Sequence, residues 1–272
     1  MMMKSVLLHI NDDPGLEARL QAALDLTRAV DGHLHCLRSN PYHPQMAFDG
    51  VTGMSVMYDI AKMTYKADEE LWKRIEKRLA DEDVSWDYSE ENADASRGLT
   101  RCSALMDIIV LSSASGDWDS AIPLGILGEV LFDTRVPLLV QPDTVKKFNV
   151  AGPAVVAWNG SFEAGNALRS AIPLLKLSSD VHIVTIAEDK DHDLPPLDAC
   201  EYLSRHGIKS EVHEQQAEKS SVDTALLSTV ETLGAGYLVM GAYGHGRARQ
   251  FLFGGVTRSM FKDSPVPLIV SH

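Results

Sequence analysis

Residues 237–272 read YLVMGAYGHGRARQFLFGGVTRSMFKDSPVPLIVSH. The apolar run Tyr237 to Met240 ends at Gly241, and Gly244 and Gly246 follow at once. A basic segment with Arg247 and Arg249 then leads to Gly254-Gly255 and the hydroxyl of Thr257, where a helical pattern starts. Glycine tolerates positive φ and lets the backbone approach a ligand closely, and consecutive N–H groups at a helix N-terminus converge on phosphate oxygens. The stretch predicts a strand, an anion-holding loop, a helix and a closing strand.

Upstream, the same alternation fills the second half of the chain. Ala154 to Trp158 (AVVAW) reads as a strand, Asn159-Gly160-Ser161 as a turn and Glu163 to Leu175 as a helix; Val181 to Ile186 and Lys209 to Glu214 are further strands, each followed by a helical pattern. The first half runs in the same order. Ser5 to Ile10 is a strand, Leu16 to Val30 a helix with Asp13 as its N-cap before Pro14, and His33 to Leu37 a second strand. Met54 to Asp81 reads as one long amphipathic helix; Val84 to Tyr88, Asp107 to Leu111 and Val136 to Val140 follow as strands. Near-continuous apolar runs suit parallel strands covered on both faces, and strands alternating with helices predict a doubly wound α/β sheet.

The repeat is visible in register. Residues 111–140 superpose on 241–270 without a gap, an offset of 130: Gly125 falls on Gly255, Asp133 on Asp263, Thr134 on Ser264 and VPLLV on VPLIV. Asn11 falls on Asn159 and Leu20 on Leu168, an offset of 148, so the first half carries 18 extra residues, assigned to the 39–62 region. The pattern predicts two copies of one unit, 1–142 with the 39–62 insertion and 153–272, joined through a linker with Lys146-Lys147 and two prolines.

Composition narrows the function classes. With 45% hydrophobic and 23% charged residues, the chain is expected to bury a core. The formal charge of −13 disfavours general nucleic-acid binding and anionic membranes. Cys36, Cys102 and Cys200 fit no metal-ligand spacing and read as reduced thiols. No apolar run has the length of a signal h-region or a membrane span, which predicts a cytoplasmic protein. The histidines His9, His33, His35 and His43 are scattered and predict no zinc site. Ser112, Ser113 and Ser161 lack a paired His and Asp at motif spacing.

The spacing Gly241-x2-Gly244-x9-Gly254-Gly255, with Val256-Thr257 and the closing VPLIV, resembles the glycine pattern of the universal stress protein family, and the whole chain resembles a tandem of two such domains. The resemblance implies Rossmann-like domains, each a five-stranded parallel sheet of order 3-2-1-4-5, with ATP at the carboxyl ends of the first and fourth strands. It implies that Ala157, Trp158, Asn159 and Ile186 hold adenine and ribose. Met240, Gly241, Gly244 and His245 would lie along ribose and phosphates, with Gly254, Gly255, Val256 and Thr257 closing on the phosphates and Arg247 reaching the terminal one. Thr257 is also the implied contact to Mg; ATP, ADP or AMP would serve as ligand. Asn159 stands where the family often has aspartate, and Gly255 replaces the usual Ser or Thr.

In the first half, Leu111, Ala114 and Leu124 align with Gly241, Gly244 and Gly254, so no ATP is expected there in the usual pose. The expected role of that half is internal pairing, with VPLLV beside VPLIV as in a pseudo-dimer; a homodimer of whole chains is left open. The alternative is that the 39–62 segment and the methionine-rich helix hold another ligand. The function expected is stress response through nucleotide binding and signalling to unidentified protein partners rather than turnover. A slow Mg-dependent ATPase, or a scaffold without nucleotide, is the alternative.

Overall fold

The computed structural model describes residues 2–40, 54–113, 124–187, 194–216, 221–242 and 254–272. The first half contains β1 (Ser5–Ile10), α1 (Leu16–Ala29), β2 (His33–Ser39), α2 (Met54–Ala80), β3 (Ser85–Glu91), α3 (Ala95–Cys102), β4 (Ile108–Ser113), α4 (Leu124–Thr134) and β5 (Leu138–Pro142). The second contains β6 (Ala154–Ala157), α5 (Phe162–Leu175), β7 (Val181–Ala187), α6 (Pro196–Arg205), β8 (Glu211–Gln216), α7 (Val222–Thr232), β9 (Tyr237–Gly241), α8 (Gly255–Asp263) and β10 (Leu268–Ser271).

All ten strands form one sheet in the order β3-β2-β1-β4-β5-β10-β9-β6-β7-β8. Each half is parallel with order 3-2-1-4-5, and the halves meet where β5 runs antiparallel to β10, with Leu138 opposite Val270, Leu139 opposite Ile269 and Val140 opposite Leu268. VPLLV does lie beside VPLIV. The central strands carry apolar runs because helices cover both faces: Val6 and Leu8 enter one core layer and Leu7 the other. The first layer packs against α1, α2, α5 and α6, and the second against α3, α4, α7 and α8.

Two expectations, the Asp13 cap and the repeat register, are corrected. Asp13 is not the N-cap of α1, which begins after Gly15 without a side-chain cap; the Asp13 carboxylate instead accepts from Gly15 N–H and pairs with Arg19. The linker is anchored, because Phe148 and Val150 are buried, Phe148 N–H donates to Asp25 and its ring packs edge-on against Tyr237. The sequence register slips by one residue at β4 and β9: Ile108 and Tyr237 take equivalent places beside β1 and β6, so Ser112, not Leu111, is the counterpart of Gly241. The offset of 130 returns at β5 and β10, and the extra residue falls within 243–253 as against 114–123, both outside the described residues. Most of the 39–62 insertion lies outside them too.

Candidate functional site

In the second half the chain leaves β6 toward β7 and returns on its other side at β9. Strand order reverses between β6 and β9, and open α/β sheets bind ligands outside the carboxyl ends of the strands at such a point. Gly241 ends β9 here. A Cβ on it would lie 2.5 Å from the carbonyl carbon of Glu163 and 2.6 Å from the nitrogen of Ala164, so glycine is required by the approach of β9 to the first turn of α5. The turn between β6 and α5 is built by Gly160 at φ 73°, by Asn159, whose side-chain oxygen accepts from Ser161 N–H, and by Ser161, which caps α5 by accepting from Ala164 N–H.

Around this point the residues divide by what they expose. Ala157 is half-buried at the end of β6, Asn159 is exposed, and Ile186 and Met240 are buried in one core layer. Trp158 is buried in the opposite layer and its indole N–H donates to the Leu194 carbonyl at 3.0 Å. Its side chain therefore belongs to the core, and its main-chain N–H donates to the Val184 carbonyl, leaving only its own carbonyl for any ligand.

The N-terminus of α8 is the open part of the site. Since β9 and β10 are parallel, the connecting helix runs back along the sheet and starts at the carboxyl end of β9. Gly254 is its N-cap at φ −58° and ψ 154° with no side-chain cap, and Gly255, Val256 and Thr257 form its first turn. Gly254 and Gly255 are exposed, and no atom of the described residues lies within 4 Å of where a Cβ on either would sit. Thr257 is buried and Val256 half-buried in the same turn. The first N–H groups of a helix have no intrahelical partner, so this end presents main-chain donors and the positive end of the helix dipole. Gly244, His245 and Arg247 lie outside the described residues.

The first half fills the corresponding place with side chains. Arg19 stands where the second half has Ala167, and its guanidinium is fully buried. It donates to the carbonyls of His9 and Asn11, to both carboxylate oxygens of Asp13 and to Ser112 Oγ. His9 is buried beside it with Nε2 2.8 Å from Ser39 Oγ; burial, then the Arg19 charge, lowers its pKa to about 3. Sequence reading missed this cluster. Its signal was a charged residue inside the apolar stripe Leu16, Leu20, Ala23. The three cysteines are free thiols, as expected, and burial pushes Cys36 up to about 12.

Also missed was a second group, His182, Glu211 and His213, gathered at the outer edge of the sheet. Its signal was the alternate spacing of Glu211 and His213, which puts both on one face of a strand.

Structural comparison finds whole-chain similarity to a universal stress protein from Archaeoglobus fulgidus DSM 4304, with a TM-score of 0.74, 19% identity, and 98% of this chain and 97% of that one covered. A putative universal stress protein from Pseudomonas aeruginosa UCBPP-PA14 is similar at TM-score 0.57 and 14% identity, covering 99% and 93%. A functionally unknown protein from P. aeruginosa PAO1 is similar at TM-score 0.58 and 14% identity, covering 99% and 92%. At these identities the likeness concerns the fold. Comparison of the sequence with curated proteins gives no match. No helix among the described residues is long and apolar enough to cross a membrane. Residues 152–272 match the sequence model of the universal stress protein family.

Proposed function

We propose that the chain is a tandem universal stress protein, with domains 1–142 and 153–272, whose second domain holds an adenine nucleotide with Mg and acts in stress response by binding rather than fast turnover. A cytoplasmic location is part of this reading. The observation that carries it is the N-terminus of α8 at the strand-order switch, where no side chain caps the helix and no described residue crowds Gly254 or Gly255. A phosphate chain fits there because main-chain N–H groups and the helix dipole favour negative charge and no side chain of the described residues intrudes. Gly254, Gly255 and Val256 would supply main-chain donors, Thr257 a hydroxyl for phosphate or Mg, and Ala157, Asn159 and Ile186 the wall nearer the base. Gly244, His245 and Arg247 complete the proposed loop.

The first domain does not take a nucleotide in the same pose in this reading, because Arg19, Asp13 and Ser112 occupy the strand ends. The test is calorimetric titration of the purified chain with ATP, ADP and AMP, with and without Mg. One equivalent per chain is expected, together with a rise in melting temperature at saturating ligand. Absence of both heat and thermal shift at millimolar nucleotide sinks the reading.

A further inference from the structure

We propose a binding site for a zinc-class divalent ion formed by His182, Glu211 and His213, remote from the strand-order switch. His182 lies near the start of β7, and Glu211 and His213 lie on β8, the outermost strand of the second half. The register puts His182 opposite Glu211, and His213 two residues further along the same face. His182 Nδ1 is 3.0 Å from His213 Nε2, and Glu211 Oε2 is 3.8 Å and 3.9 Å from those two nitrogens. A point equidistant from the three atoms is about 2.1 Å from each, the bond length of zinc to imidazole nitrogen or carboxylate oxygen. An ion drawn slightly out of that plane would keep a fourth position for water. Two imidazoles and one carboxylate suit zinc and its first-row neighbours, and the donor set is too nitrogen-rich for calcium or magnesium.

Access and support are both present. The Glu211 side chain is 75% exposed while those of His182 and His213 are 13% and 29% exposed, so two ligands are held by packing and the third can swing onto an arriving ion. The first half carries the same scaffold with different chemistry. His35 corresponds to His182, Asp87 to Glu211 and Ser89 to His213, and the His35 ring is engaged by Asp87 on one nitrogen and Ser89 on the other. Exchanging a serine for His213 turns a hydrogen-bonded histidine into a set of three donors converging on one point. The site does not depend on the nucleotide reading.

The test uses the full chain, stripped of metal and titrated with Co(II) and then Zn(II). One equivalent is expected, with a visible Co(II) band that Zn(II) displaces and a zinc-dependent rise in melting temperature. Glu211→Gln, at an exposed position, should keep the metal-free melting temperature and weaken binding by about tenfold or more. His182→Gln/His213→Gln should abolish it, and His33→Gln/His35→Gln should leave it intact. No uptake by the wild-type chain overturns the assignment, as does undiminished uptake by Glu211→Gln and the His182→Gln/His213→Gln chain.

Discussion

Gly15 in the first half stands where the second half has Glu163, and it faces Ser112, the counterpart of Gly241. The contact between the first turn of the first helix and the end of the fourth strand admits one side chain. The second half leaves space on the strand at Gly241, and the first half leaves it on the helix at Gly15. Gly241→Ala should therefore destabilise by about 1–3 kcal/mol, as overpacking does, because the new methyl meets the backbone of Glu163 and Ala164. Gly15→Ala meets chiefly the Ser112 side chain, with Asp13 Oδ1 further off at 3.3 Å, so Ser112→Gly should recover part of its loss. Urea midpoints of the two single variants and the double variant measure the coupling.

Gly254 and Gly255 behave oppositely, since no atom of the described residues lies within 4 Å of a Cβ on either. Gly255→Pro is the sharpest probe. Proline is tolerated at the first helical position, and Gly254 already has the extended ψ that a following proline requires. The substitution removes one N–H from the proposed phosphate cradle with an expected stability change within about 0.5 kcal/mol. Loss of one hydrogen bond to a charged group should cost about 1.5–3 kcal/mol of nucleotide affinity, read as a tenfold to hundredfold rise in Kd. Unchanged affinity would place the phosphates elsewhere.

These two substitutions mark how far the glycine pattern could be read. The alternation of apolar runs and helical periods made the two doubly wound halves and the pairing of VPLLV with VPLIV legible. The spacing of glycines did not say why each is glycine. Gly241 answers to a helix packed against it, a tertiary contact invisible in a local pattern, whereas Gly254 answers to no neighbour among the described residues. The one-residue slip between β4 and β9 was hidden because Gly125, Asp133 and VPLLV all lie after it and keep the 130 offset. Trp158 shows the same limit: the family resemblance implied a ligand wall there, but pleat alternation turns the indole into the core layer shared with Val156. His182, Glu211 and His213 lie on two strands, so only their pairing register brings them together.

The Arg19–Asp13 pair is enclosed, with side chains 0% and 2% exposed. Removing one partner of such a pair leaves an uncompensated buried charge, so Asp13→Ala should cost about 3–5 kcal/mol. Arg19→Met alone strands the carboxylate and should cost a similar amount. The double variant Asp13→Ala/Arg19→Met should lose clearly less than the sum, because the two uncompensated charges vanish together. Equilibrium denaturation of the three variants tests it; strict additivity would mean that the two groups are not coupled.

His9 links the same cluster to acid stability. Burial, with the Arg19 charge, lowers its folded pKa from 6.5 to about 3, partly countered by Asp13. Folding therefore requires the neutral ring. Above pH 6.5 both states are neutral and the group imposes no proton penalty. As pH falls from 6.5 toward 3, the unfolded chain binds a proton that the folded chain does not, and stability declines by about 1.4 kcal/mol per pH unit from this group. Below about 3 the folded ring also protonates and this contribution to the slope ends. His9→Gln can still hydrogen-bond toward Ser39 but cannot titrate. Between pH 6 and 4 its unfolding free energy should fall less steeply than that of the wild type, by close to one proton's worth of slope, whatever the cost of the substitution at pH 7.5. Parallel slopes for the two chains would remove His9 from the account of acid denaturation.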